Sequence, residues 1–392
     1  MKVLFYRYGS ICEPDIIDVF NEMGLTVDEY KKEITEKDIP LPESVKQVSQ
    51  YLLDNPADFV FSINFFPFLS EVCNIFHIRY LSWIVDAPVM ELYSTSIKNE
   101  WNRTFIFDRA VYDDIHPYNE KCVFHLPLGA RTAPKEELFK KASDSDRKRF
   151  SHDIAFVGSL YTEKSPIDKL SGESENLRGY LDGIMKAQER VYGYYFIEEL
   201  LSDDIVKEFK EHLPGFYTYP AETFLTDKRT MSQLYIGNGI TAMERVDTFK
   251  ILSEHFPVSI YTASDTTGIP KIHNMGLAKT LTEMPLIFKN SKINLNLTSK
   301  AIRTGLPLRI FDILSCGGFI ISNYQPEIPE LFTPGEDLVM YGSFDELLYF
   351  CDYYLSHDDE RIQIAEAGYE KLKANYTYEK QLEKLLFTAF SF

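Results

Sequence analysis

Residues 292–322 read KINLNLTSKAIRTGLPLRIFDILSCGGFIIS. A strand ends near Thr298, and the polar loop after it carries Arg303, Thr304 and Gly305. Pro307 fits the first turn of a helix, where its missing N–H is one of the donors left unpaired anyway. LRIFDILS has helical apolar spacing, Gly317 and Gly318 stop it, and GFIIS opens a second strand. Strand, loop, helix and strand in so short a stretch make a βαβ unit and hence a parallel sheet.

Arg309 and Asp312 lie three apart on one face of that helix. The helix dipole disfavours an arginine near the N-terminus unless an anion sits there, so Arg309 is a candidate phosphate ligand. Asp312 is a candidate acceptor for ribose hydroxyls. The competing reading is a surface i, i+3 ion pair of little energetic consequence.

Upstream, IAFVGSLYTEK reads as the first strand and loop of the same domain. Gly158 permits a tight turn, Ser159 offers a hydroxyl and Lys164 a charge for a diphosphate, though the pattern is not a dinucleotide-binding glycine fingerprint. An ordinary strand end and a solvated lysine are the alternative. The segment of about residues 163–230 reads as a helical insertion. MSQLYIG, the helix-like TAMERVDTFKILSEHF and the strand-like VSIYTAS restore the alternation.

The N-terminal half alternates in the same way. KVLFYRY, DFVFSIN, HIRYLSWIVD, RTFIFD and KCVFHLPLG are short apolar strands, and PDIIDVFNEMG is a helix ended by Gly24. The polar, charged stretch from Arg131 to Asp153 reads as a linker, giving domains of residues 1–150 and 151–392. Ligands of open α/β sheets bind at the carboxyl ends of strands. That makes Tyr8, Gly9, Ser10 and Asn64 candidates on the acceptor side, and Asp86 a candidate general base. Asp108 is a similar candidate, and for either aspartate a helix N-cap is the competing reading.

Composition narrows the function classes. A net charge of −18 argues against a nucleic-acid surface and against anchoring on anionic lipid. Five scattered cysteines form neither a disulfide framework nor a zinc site, and no metal-ligand spacing is present. The N-terminus enters a strand directly, without a signal-peptide pattern, and FVFSINFFPFLS is too short and interrupted to span a membrane. The expectation is a cytoplasmic protein without a transmembrane segment.

The second half resembles the C-terminal half of GT-B glycosyltransferases of the group 1 type, in particular the bacterial CgeB-like, spore-maturation-protein-like group. PLRIFDILSCGGFIISNYQPEIPELFTPGEDLVMY is similar to that group's RxFExxACGGFLLxD…LxELFxxGxE block, and HDDERIQIAEAGYEKLKANYTYEKQLEKL to its ERxxIAxxGY…HTYxxR ending. FSINFFPFLSEVC, YLSWIVDAPV, FIFDR and FHLPLGA resemble the domain that precedes the block. The resemblance implies two Rossmann-like domains facing across a cleft, with a nucleotide-sugar, a UDP-sugar first, held by the C-terminal one. It puts Asp312 against the donor ribose, and Arg303, Thr304, Gly305 and Arg309 where the diphosphate meets the helix N-terminus. VGSLYTEK is similar to the broader VGRLxxEKG loop, with Ser159 at the arginine position and Lys164 keeping its charge. Thr304 stands where the broader enzymes carry a first glutamate, Asn375 where a histidine is frequent, and Lys380 in place of the final arginine.

The function these features imply is metal-independent sugar transfer, without a cofactor, to an unidentified protein, polysaccharide or small molecule. A sugar-nucleotide epimerase and a catalytically inactive nucleotide-sugar-binding module are the alternatives.

Overall fold

The computed structural model describes residues 1–36 and 39–391. The chain forms two compact units: Met1–Gly129 with Tyr219–Leu225 and Tyr376–Phe392, and Ala130–Thr218 with Thr226–Asn375.

The first unit is built on six parallel strands: β1 (Lys2–Tyr6), β2 (Thr26–Tyr30), β3 (Phe59–Ile63), β4 (Arg79–Ile84), β5 (Asn102–Ile106) and β6 (Val123–His125). They lie in the order β2-β1-β3-β4-β5-β6, with Val3 opposite Phe59 and Phe61 opposite Leu81. Every residue of β3, FVFSI, is buried, as a mostly apolar run predicts for a strand covered on both faces; β5, NRTFI, is equally buried although it begins with Asn102, Arg103 and Thr104. β2, TVDEY, is a polar edge strand that apolar patterning does not reveal. Helix Glu13–Glu22 places Phe20 edge-on to Phe61, 5.1 Å between ring centroids.

The C-terminal helix, Tyr378–Phe390, also packs on this sheet. Tyr378 meets the ring of Trp83 at 5.9 Å, Arg79 lies over Phe390 at 5.0 Å, and the Gln381 amide donates to the carbonyls of Pro127 and Leu128. Sequence reading had assigned this tail to the second domain; its apolar face instead covers the first sheet.

The second sheet holds β7 (Ile154–Val157), β8 (Val258–Tyr261), β9 (His273–Asn274), β10 (Ile293–Asn296), β11 (Ile320–Asn323) and β12 (Val339–Tyr341). Its order is β12-β11-β10-β7-β8-β9, again all parallel. The stretch read as a linker is two helices, Ala133–Lys141 and Asp144–Arg149, the latter with a capping box between Ser143 and Asp146. Glu136 accepts from Tyr369 and pairs with Lys373 at 3.0 Å, and Lys135 reaches Ser315. These contacts tie the stretch to the second unit, so the units divide at Gly129–Ala130 rather than at residue 150.

Every helix or strand from Thr162 to Thr230 is helical, with a core of its own around Leu181, Phe209 and Tyr235. MSQLYI is a π-helical turn running straight into the helix Gly237–His255. Among the described residues no helix is long and apolar enough to cross a membrane.

Candidate functional site

In the second sheet the strand order reverses between β7 and β10, so the loops after those strands flank the switch point where open α/β sheets bind ligands. One side chain joins the two loops. Arg245, buried in helix Gly237–His255, donates to the carbonyls of Ser159 and Leu297, each at 2.5 Å. Its guanidinium also lies over the ring of Tyr161 at 4.5 Å.

Within the β7 loop, Ser159 is committed to local structure. Its hydroxyl donates to Glu163 at 2.6 Å and accepts from the Tyr161 N–H at 2.8 Å. Gly158 donates its N–H to Tyr261 at the strand end. Lys164 is exposed, 4.5 Å from the Tyr161 ring.

The β10 loop carries a buried lysine that sequence reading passed over. Lys300 is 7% exposed, pairs with the fully buried Glu244 at 3.3 Å and lies 4.1 Å over the Tyr192 ring. A lysine in a polar loop reads as solvated, so nothing local marked it. Helix Gly237–His255 holds Glu244 and Arg245 buried, and no local pattern marks this, since the helix has no apolar side and ends in exposed residues. Arg303 is half-buried in the same loop as Lys300, and Gly305 is buried. Thr304 donates to the buried Glu327 at 2.8 Å, fastening the β10 loop to the segment after β11. Lys300 and Arg303 both line a small pocket at the carboxyl ends of β10 and β11.

Arg309 and Asp312 sit on the helix Leu308–Ser315, as read. Arg309 turns to Met284 Sδ, at 2.7 Å, and to the Phe288 ring. Asp312 lies 3.6 Å from both Arg309 and Lys135. At that spacing neither contact is a tight hydrogen bond, and the carboxylate keeps acceptor capacity. Neither residue lines the pocket that contains Lys300 and Arg303.

In the first unit, three predicted residues converge at the strand ends. Asn64, in the left-handed region at φ 57°, donates to the Tyr8 hydroxyl at 2.9 Å and to Asp86 at 2.7 Å. Its side-chain oxygen Oδ1 accepts from the N–H groups of Val85 and, more weakly, Asp86. Asp86 is exposed and oriented by this amide, a geometry open to a proton-bearing substrate. Burial, with Asp86 nearby, raises the Tyr8 phenol far above its ordinary range, so it stays protonated.

The Tyr8–Gly9–Ser10 loop is already filled. Its three successive N–H groups all donate to one oxygen of Glu13, at 2.9, 3.1 and 3.1 Å. Glu13 is fully buried, and its other oxygen takes the Arg7 Nε at 3.0 Å. The chain's own carboxylate thus occupies an anion-binding nest. Asp108 is the N-cap of helix Arg109–Ile115, accepting from Ala110 and Val111. No group of three or more His, Cys, Asp or Glu that could hold a metal occurs among the described residues.

Residues 243–386 match the family model described as "Glycosyl transferase-like". No curated protein sequence matches the chain. Among solved structures, HepE of Anabaena in complex with UDP-glucose aligns over 100% of both chains at 10% identity and TM-score 0.55. A glycosyltransferase of Rickettsia africae aligns over 100% of this chain and 98% of its own, at 10% identity and TM-score 0.53. Sucrose-phosphate synthase of Thermosynechococcus elongatus aligns over 100% and 99%, at 9% identity and TM-score 0.53. At such identities the likeness is one of fold, and the fold is GT-B.

Proposed function

We propose that this chain, a glycosyltransferase by its C-terminal domain and its GT-B fold, takes a UDP-sugar as donor and works without a metal. The observation that carries the reading is the switch point of the second sheet. There Arg245 holds the β7 and β10 loops together, and the β10 loop presents Lys300 and Arg303. UDP-glucose bound to HepE, a protein of the same fold, supports uridine as the base.

As the bond from the anomeric carbon to the β-phosphate oxygen breaks, negative charge grows on the diphosphate. Preorganised cations beside it stabilise that charge in the transition state. Arg303, Lys300 and the exposed Lys164 are the cations of these loops, and Asp312 accepts from the ribose. In an inverting transfer, the acceptor oxygen attacks the anomeric carbon and gives its proton to Asp86, which Asn64 orients. The CgeB-like resemblance around residues 307–341 supports that subgroup, a bacterial and cytoplasmic setting, and an acceptor from a spore coat, a surface polysaccharide or a protein.

UDP release from a panel of UDP-sugars, measured with and without excess EDTA, tests this. Release from at least one sugar should persist in chelator. Release from none, or loss in EDTA restored by manganese, contradicts it.

A further inference from the structure

Lys135 lies in the helix Ala133–Lys141, within the stretch that reads as a charged linker, but it is not a solvated lysine. Its side chain is 13% exposed, against 69% for Lys140 of the same helix. Its ammonium donates to the Ser315 hydroxyl, which donates in turn to the backbone carbonyl of Asp312 at 2.8 Å. The helix is itself fastened, since Glu136 accepts from Tyr369 and pairs with Lys373. The lysine is therefore held against the turn that carries Asp312.

Asp312 has a cation at each of its oxygens. Lys135 faces Oδ1 and the Arg309 guanidinium faces Oδ2, both at 3.6 Å. Those distances exceed a hydrogen bond, so neither cation has taken the carboxylate's lone pairs. Opposed pulls at equal distance centre the group, and with one cation gone it closes on the other. Arg309 is anchored where it stands, because the guanidinium also meets Met284 Sδ at 2.7 Å and the Phe288 ring. A carboxylate released by Lys135 has Arg309 as its nearest destination.

We infer that Lys135 is a positioning residue for the donor: it keeps Asp312 off Arg309 and open to the two vicinal hydroxyls of a ribose. The site thereby selects a ribonucleotide over a deoxyribonucleotide. The inference rests on the proposed contact between Asp312 and the donor ribose, and adds the group that sets it. A site built to accept from hydroxyls rejects a ligand that lacks them only while its acceptor is held in place. Lys135 touches no part of the donor in this role and acts through Asp312 alone.

Calorimetric titration of the full chain with UDP and with its 2′,3′-dideoxy analogue reads the hydroxyl contribution as a ratio of affinities. The unaltered chain should prefer UDP by about ten-fold or more. Lys135→Met should bring that preference below about three-fold while the analogue binds as before, and Lys135→Arg, which keeps the charge, should hold it above that mark. Lys135→Gln replaces the methionine variant if that one does not fold. A preference that stays above the mark in the uncharged variant overturns the role of Lys135, as does an equal loss of both ligands, the mark of a merely structural lysine. A preference lost in Lys135→Arg as fully as in Lys135→Met overturns the charge-based account. If the unaltered chain binds both ligands equally, the ribose contact of Asp312 falls, and this inference with it. If it binds neither, the donor reading itself falls.

Discussion

The two sheets have the same strand logic and treat their switch points in opposite ways. In the first, the loop after β1 turns three N–H groups inward and the chain closes them with its own Glu13. In the second, a buried arginine takes the loop carbonyls of Ser159 and Leu297, and the adjoining pocket is lined by cations and no carboxylate. A loop whose donors are spent on an internal carboxylate has nothing left for a phosphate. A loop whose carbonyls are spent on an internal cation still has its surroundings free for one. The difference supports the proposal that the charged donor is held by the second domain; in the first, Asp86 is exposed and held by Asn64.

The largest effect is expected at that aspartate. Asp86→Asn keeps its size but takes no proton, so UDP release should fall by about 10²–10⁴-fold, the usual weight of a general base. Donor affinity should stay the same. Normal release would return Asp86 to a purely structural part and remove chemistry from the first domain's side of the comparison.

Next is the filled nest. Glu13→Ala removes the shared acceptor of three N–H groups and the partner of Arg7, at a cost of about 1.5–3 kcal/mol in urea unfolding. The emptied loop should then take inorganic phosphate, which raises the midpoint of the variant and not that of the unaltered chain. Equal stabilisation of both would mean that Glu13 does not close the first loop.

Asp312→Ala tests the carry-over from sequence resemblance. Loss of a carboxylate that accepts from ribose should weaken UDP binding by about ten-fold or more. Its contacts to Lys135 and Arg309 are long and part-exposed, so the melting temperature should move little. Unchanged affinity would leave Asp312 as an ion-pair residue only.

The smallest effect concerns Glu189, which adjoins the Lys300 cluster. Burial first, then Asp247 and Glu244, push its carboxyl up to about 7 from an ordinary 4.5, against smaller opposing pulls from Arg190 and Lys300. A raised folded-state value means stability present below pH 4.5 and lost progressively as pH rises to about 7. Glu189→Gln should match the unaltered chain near pH 4.5 and exceed it in stability near pH 8. Parallel stability curves across that range would show that the carboxyl ionises freely.

Much of the architecture was legible in the sequence because parallel strands buried on both faces are continuous apolar runs. DFVFSIN became β3 on that signal, whereas β10, INLN, buries Asn294 and Asn296 by hydrogen-bonding their amides. β2 escaped because TVDEY is a polar edge strand, and MSQLYIG, read as part of the alternation, is a π-turn that continues into the next helix. The segment 131–153 looked like a linker since its helices expose most of their residues; what fixes them are contacts to Tyr369, Lys373 and Ser315 far along the chain. Strand-end logic put Tyr8, Asn64 and Asp86 at strand ends, where the structure joins them by hydrogen bonds. It missed Glu13, Arg245 and Lys300 because their meaning lies in burial and in partners remote in sequence, neither of which a local pattern records.

Hydrogen–deuterium exchange on the full chain, with and without saturating UDP, tests the contrast between the two switch points most directly. The account predicts slowed exchange at residues 158–164, 191–195 and 298–305, and no change at residues 7–13. Protection at residues 7–13 with none at 298–305 would contradict it.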